Sequence, residues 1–403
     1  MALPLEGIKI LDLSTMLPGP FCSMILADFG AEVIKVEAVK GGDLFRGGVP
    51  KIGDTGGAFF QVNRNKKSIT LNLKSEEGKE IFYKLAKDAD VVLEQYRPGV
   101  VKKLGVDYET IKAINPKIVY CSLSGYGQTG PYRLTSGHDL NYISYAGILG
   151  LTARKGQTPT IPGVQIADIG GGALYAAIGI LIALMGVKQN GVGQYVDTSM
   201  LDGAVSWLPV LANDYFVKGV SPKAAENILN GQNACYEVYE TADGRYISIG
   251  AIEPHLWANF CDAIGKEEFK LWQRDLTKQD EMFACLREMF KSKTQAEWIE
   301  KLTGVDCCWA PVKNLEEVFA DPQVLARDMV YEMTDPAGCY GSVKMIGSAV
   351  KLSETPARQE LFPPRKGEHN AEYLKAVGYS DEQIAEFEKN GICLLYTSPS
   401  PRD

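Results

Sequence analysis

Histidine is scarce: the 403 residues contain three, His138, His255 and His369, far apart and outside any HExxH pattern. That spacing argues against a zinc catalyst, so no metal is expected. The nine cysteines are scattered, with only Cys307 and Cys308 adjacent and no CxxC. Neither a zinc knuckle nor a disulfide scaffold is indicated. The first strand–turn–helix lacks GxGxxG, which removes the usual dinucleotide fingerprint. Basic charge is not in excess either, since 42 Lys and Arg against 50 Asp and Glu give a net −8. A broad nucleic-acid surface needs clustered cations, so no nucleic-acid partner is expected, although a local basic pocket is compatible. MALPLEGIKI lacks the basic segment and apolar run of a secretory leader. With the cysteine usage, this gives the expectation of a cytoplasmic location. Only one long apolar run exists, the 18 uncharged residues Ile169–Gly186. It falls short of the roughly 20 residues that span a bilayer and opens with glycines, so it reads as a helix buried inside a soluble domain, with no membrane span.

What is present is an ordinary globular composition, 45% apolar and 23% charged, in a chain long enough for two domains. GIKILDL (7–13), FCSMILADFG (21–30) and AEVIKVE (31–37) read as strand, helix and strand. SITLNL, EEGKEIFYKLAKDA, DVVLEQY and KIVYCSL continue the alternation, which predicts an α/β fold with a parallel sheet. GQYVDTSMLDGAVSWL (193–208) predicts a strand running into a helix. CYEVYETADGRYISIGAI (235–252) predicts a hairpin turning at Asp243–Gly244. Helical segments follow, and a smaller α+β domain over 226–330 is expected. Residues 331–392 return to strand-like text and end in the helix SDEQIAEFEKN. The last segment, 393–403, continues no period and reads as a disordered or artefactual tail.

Three acid–base candidates stand out. His138 follows a loop, 124–137, that holds four glycines and one proline. It is either a satisfied structural side chain or a group that exchanges a proton near neutrality. Asp168 precedes the apolar run, where a helix N-cap is the plain reading. Gly170, Gly171 and Gly172 also predict open space there for a bulky substrate. Glu253, before Pro254, is again a helix-terminal carboxylate by default. Among the cations, Lys66 and Lys67 read as ordinary surface, His369 as surface too, and Arg97 as fixed at a strand end by RPG.

Taken together, LEGIKILDLSTMLPGPFCSMILADFGAEVIKVE, NRNKKSITLNLKSEEG, EQYRPGV, SGYGQTGP, GHDLNY and ADIGGG resemble the family III CoA-transferases (CaiB/BaiF-like), over roughly residues 4–390. The motifs are closest to the α-methylacyl-CoA racemase branch. The resemblance implies a Rossmann-like large domain with a parallel sheet plus a smaller α+β domain, in an interlocked homodimer. On that layout residues 1–215 start the large domain, 226–330 form the small one and 331–392 return to the first. It implies an acyl-CoA thioester as the ligand, with coenzyme A as part of the substrate and no tightly bound cofactor. It also implies a place in lipid metabolism. His138, Asp168 and Glu253 match the racemase catalytic positions, and the CoA contacts fall on Leu71, Asn72, Leu73, Lys74, Arg97, Asp139 and Tyr142. One departure is Ala38, where racemases commonly carry an arginine; Lys40 is the nearby substitute.

Two chemistries suit these positions. A racemase inverts the α-carbon of a 2-methyl-branched acyl-CoA through an enolate, with His138 and Asp168 on opposite faces and Glu253 holding the imidazole. Backbone N–H groups beside Asp168 and Gly137 would then meet the thioester oxygen. A CoA-transferase instead uses Asp168 as the nucleophile that becomes acylated. The intact trio, and IGAIEPH where formyl and oxalyl transferases carry a glycine-rich loop, favour the racemase.

Overall fold

The computed structural model describes residues 1–394. Strand β1 (Lys9–Asp12) leads into helix α1 (Pro18–Asp28) and β2 (Glu32–Glu37). Then come β3 (Lys66–Thr70), α2 (Glu76–Lys87), β4 (Val91–Glu94) and β5 (Val119–Ser124). Helices α3 (Asp139–Tyr145) and α4 (Leu174–Asn190) precede β6 (Tyr195–Ser199) and α5 (Met200–Val205). Every pairing in the sheet is parallel, and the strand order is β3-β2-β1-β4-β5-β6. Ile10, Leu11, Val91, Val92 and Leu93 are fully buried, which is why these strands read as continuous apolar runs. The order is that of a nucleotide-binding fold, and the chain changes direction across the sheet between β1 and β4. Crevices open beyond the carboxyl ends of strands at such a point.

Local chemistry sets the helices. Pro18 starts α1, with Leu17 at the cap position, a place where the missing proline N–H costs nothing. In α2, Ser75 accepts from the Gly78 amide at 3.1 Å, with Glu76 and Glu77 in the first turn and Lys84 and Lys87 in the last. Its inner face, Ile81, Phe82 and Leu85, joins Ile69, Leu71 and Val92 in one core.

In the second part of the chain, β7 (Tyr236–Glu240) and β8 (Tyr246–Gly250) form the expected hairpin, with Gly244 at φ 72° in the turn. β9 (Trp309–Pro311) completes an antiparallel sheet, order β9-β8-β7. Helix α6 (Pro254–Ile264) brings Trp257 and Phe260 into a core with Phe290 and Trp298. Beyond this lie an antiparallel pair, β10 (Val330–Thr334) with β11 (Ser342–Ile346), and helices α7 (Asn370–Ala376) and α8 (Asp381–Lys389). Asn370 stitches this end to β3: its Oδ1 accepts from the Thr70 amide at 2.7 Å and its Nδ2 donates to Thr70 Oγ1 at 2.8 Å.

The chain forms two compact units. One holds Met1–Ala146, Val164–Trp207 and the chain from Gln323 onward; the other holds Gly147–Gly163 and Leu208–Pro322. Residues 147–163 thus group with the small unit, outside the expected 226–330. Their side chains Arg154, Lys155 and Gln157 wall a cavity there with Glu237 and Arg287.

Two expectations need correction. The tail does not begin at 393: Cys393 is fully buried against the core that holds Tyr373 and Leu374, and the Leu394 amide donates to Thr70 Oγ1 at 2.8 Å. The rest of that tail, 395–403, lies outside the described residues. The apolar run is not a fully buried helix. Ile166–Asn190 is, among the described residues, the one helix long and apolar enough to cross a membrane, and 44% of its most apolar window is buried. Ala176, Ala177, Ile180 and Ala183 face inward, while Tyr175, Ile178, Leu181, Ile182 and Met185 lie bare on the opposite side.

Candidate active site

Loops from four strand ends converge on one cleft of about 750 Å³, with Leu44 and Phe45 reaching it from beyond β2. Thr15–Pro18 follow β1, Gln95–Pro98 follow β4 and Ser124–Tyr126 follow β5; residues 133–142 with Gln165 and Asp168 supply the facing wall. All of its lining belongs to the first unit. His138 and Asp168, 30 positions apart in the chain, are both in that lining, and among the described residues Asp168 is its only acid. Arg97 and Tyr142 line it as well.

His138 takes the N-cap position of α3 in an extended conformation, and its amide donates to Asn141 Oδ1 at 3.0 Å. Tyr142, one turn on, donates its hydroxyl to the Gly137 carbonyl at 2.6 Å. Burial, then the negative charge of Asp168, push that phenol up to about 12, so it stays a donor. Arg97 donates to Ser136 Oγ at 2.6 Å, which ties the β4 loop to the histidine loop.

Asp168 is not an N-cap. It is the third residue of a π-helical turn, Ile166–Ala173, that runs into α4. Such turns recur at functional sites because they re-aim side chains within a helix. Asp139 holds this one: its Oδ1 accepts from the amides of Ala167 at 2.6 Å and Asp168 at 3.0 Å. Those two N–H groups are therefore committed and do not serve a thioester oxygen. Burial, then the neighbouring Asp139 charge, push the Asp168 carboxyl up to about 6, and His138 opposes the rise. The three glycines leave no open space for a substrate, contrary to expectation. A Cβ on Gly170 would stand 2.0 Å from the Trp207 ring, and one on Gly171 2.7 Å from the Met200 carbonyl and 2.8 Å from the Ala204 amide. Gly171 is small because the backbone of α5 packs against it, Gly170 because the Trp207 ring does, and Gly172 because the Met200 side chain does.

A second cavity of about 640 Å³ opens beyond β2 and β3. Leu71, Asn72, Leu73 and Lys74 line it together with Ala38, Lys40 and Tyr96. Tyr96 also lines the first cleft, so the two cavities adjoin across its side chain. Among the predicted positions, then, 71–74 gather at one cavity and Arg97, His138, Tyr142 and Asp168 at the other, while Asp139 holds the Asp168 turn through the amides of Ala167 and Asp168. Glu253 lies in the second unit, at the exposed N-cap position of α6, where its side chain makes no capping hydrogen bond.

Two residues expected at the surface, Lys66 and His369, are packed inside, whereas Lys67 sits in an exposed ion pair as a surface residue does. Lys66 is fully buried, with Nζ donating to Pro20 O and Asn63 Oδ1 at 2.9 Å and reaching Asp12 at 3.3 Å. Lys67 is half-buried and pairs with Glu372 at 2.6 Å. His369 is packed as well, its Nδ1 accepting from the Ser68 amide at 3.2 Å. Sequence reasoning also missed Thr15–Pro18, Gln95 and Tyr126 as cleft residues. The signal was available: loops that leave the carboxyl ends of parallel strands near a topological switch carry ligands.

A parallel sheet in this order, with a cleft beyond its carboxyl edge at the switch point, is the layout of an α/β enzyme. Residues 5–370 match the family model described as CoA-transferase family III, and the chain belongs to that family. It is an enzyme of the acyl-CoA racemase or CoA-transferase kind, and its general activity is CoA-transferase-family chemistry on a CoA thioester. It is 38% identical to an acyl-CoA transferase of Fusarium pseudograminearum, over 96% of this chain and 88% of that one. It is 35% identical to the mouse α-methylacyl-CoA racemase, over 96% and 97%. A crystal structure of a CAIB/BAIF family protein from Brucella suis matches with a TM-score of 0.82 at 31% identity, over 94% of this chain and all of the other.

Proposed function

We propose that the protein is a CoA-transferase that moves CoA from a donor thioester to a free carboxylic acid through acylated Asp168. The observation that carries this is Asp168 itself, among the described residues the only acid in the lining, partly desolvated and fixed by its own turn. A carboxyl at about 6 is ionised at neutral pH yet less solvated than a surface one, which suits nucleophilic attack. Its oxygen adds to the thioester carbonyl, the C–S bond breaks, and a mixed anhydride and CoA thiolate result. The thiolate then attacks the aspartyl carbonyl, releasing the donor acid and leaving an aspartyl–CoA thioester. The acceptor carboxylate displaces the thiolate to give a second anhydride. Thiolate attack on its acyl carbon yields the new acyl-CoA and restores Asp168. No tightly bound cofactor enters these steps.

In this reading the nucleotide of CoA occupies the cavity lined by Leu71, Asn72, Leu73 and Lys74, with Lys40 beside Ala38 supplying charge. The thiol arm passes Tyr96 into the cleft, where Arg97 and Tyr142 meet it. Asp139 keeps the Asp168 turn in place. The bare apolar stripe of α4 supports the interlocked homodimer, since a second copy is the partner such a stripe suits.

One observation favours a second reading, an α-methylacyl-CoA racemase: His138 lines the same cleft as Asp168 and influences its charge. Two groups that exchange protons with one α-carbon have this pairing. Glu253 has no step in the transferase account.

The test combines label transfer and isotope exchange. With a labelled acyl-CoA donor and a panel of free acids, the expected results are labelled CoA transfer and an acyl or CoA adduct on the peptide that contains Asp168. His138→Gln is expected to slow transfer less than about tenfold, whereas two-base epimerisation would lose about 10² to 10⁴. Deuterium uptake at the α-carbon of a 2-methylacyl-CoA, with neither adduct nor transfer, would replace this reading with the racemase.

A further inference from the structure

Below the cleft, the first unit buries a cluster of charge. Asp12, Lys35, Asp43 and Lys66 are each at most 1% exposed. Lys35 donates from Nζ to the Ser14 carbonyl at 2.9 Å and lies 2.7 Å from Asp43 Oδ2. That second contact is a fully buried ion pair, which occupies Oδ2. The other oxygen does more. Asp43 Oδ1 accepts from the Met16 amide at 3.0 Å and from the Phe45 amide at 2.9 Å.

Both of those residues line the cleft, and they come from different loops, after β1 and after β2. Met16 holds φ at 65°, a conformation that a side chain with a Cβ rarely adopts without outside constraint. The neighbouring contacts point the same way. Asp12 accepts from the Ser14 amide at 2.9 Å, the Asp43 amide donates to Glu37 Oε2 at 2.9 Å, and the Gly19 amide donates to Gln95 Oε1 at 2.9 Å. Three loops of the cleft are thus joined, the first two through the buried Asp43 and the third through the half-buried Gln95. Buried ion pairs are a poor means of raising stability, because apolar groups of like volume do as well, so geometry is the better account of their presence here.

We propose that Asp43 is a positioning residue, with one carboxylate oxygen clamping Met16 and Phe45 in register across the acyl-CoA cleft while Lys35 fixes the carboxylate from behind. The inference rests on reading the cleft as the acyl-CoA site. Two uncharged pairs separate clamping from charge: K35M/D43N keeps a side-chain carbonyl for the two amides, and K35M/D43A does not. KM for acyl-CoA is expected to be at least about tenfold higher in K35M/D43A, with kcat within about threefold and similar melting temperatures. Equal KM values in the two would overturn the inference. Amide hydrogen exchange on the wild-type protein gives a second readout that needs no variant. Met16 and Phe45 are expected to be protected without ligand, and fast exchange at either overturns the clamp. Acyl-CoA binding to the wild type, by calorimetry, tests the underlying reading separately. No binding refutes the site assignment; binding together with equal KM values in the pairs refutes only the role of Asp43.

Discussion

Replacing Asp168 with asparagine should destroy activity and stabilise the protein, and the pH dependence of that gain is the telling part. The folded state raises this carboxyl from 3.8 to about 6. At about 1.4 kcal/mol per unit that is a ceiling of about 3 kcal/mol, and residual solvent contact reduces it to about 1–2 kcal/mol. The sign follows from linkage. Below pH 4 the group is protonated in both folded and unfolded chains and exacts no penalty. As pH rises through about 6, the folded protein must hold a charge that the unfolded chain hydrates better, and stability falls. The amide of the D168N variant never carries that charge, so D168N should melt higher than wild type at pH 8, by about 2–8 °C at 2–4 °C per kcal/mol. The two should coincide near pH 4. Turnover should drop by at least about a thousandfold. Thermal denaturation followed by circular dichroism at both pH values, with an activity assay, checks this. A variant that melts lower than wild type at pH 8 would refute the reasoning, because Asp168 would then be a satisfied structural carboxylate.

Gly171→Ala should destabilise the first unit by about 1–3 kcal/mol and lower turnover, because its Cβ meets the backbone of α5 rather than a flexible side chain; an unchanged urea midpoint would contradict the close packing. In the proposed homodimer, Ile182→Glu, in the middle of the bare stripe of α4, should yield monomers, as read by light scattering after gel filtration of both proteins; a dimer of unchanged mass would remove that helix from the interface.

The sheet was legible because β1, β4 and β5 carry buried apolar runs such as Ile10–Leu11 and Val91–Leu93, and a short continuous apolar run between turn signals has few other uses. The hairpin at Gly244 was legible for a similar local reason. Lys66 was not. Nothing in NRNKKS distinguishes a lysine whose amine meets Pro20 O and Asn63 Oδ1 inside the fold from one in water, since the partners are supplied from a distance. The glycines after Asp168 were visible, but their purpose was misread for the same reason: what fills the space is α5 and Trp207, more than 25 residues later. His138 and Asp168 were found through family motifs, whereas their meeting in one cleft depends on the order of strands. The Asp43 clamp gave no sign in sequence, because its meaning lies in which two amides it reaches.

The two-sided helix α4 has a consequence for the young chain. One flank is satisfied as soon as the sheet forms, but the other stays greasy until it is covered. Between release from the ribosome and that moment the molecule offers a ribbon that chaperones, detergents and lipid surfaces all recognise. In the proposed homodimer, yield in the cell should track how fast copies meet, and so depend on synthesis rate and dilution more steeply than the stability of a single folded copy would indicate.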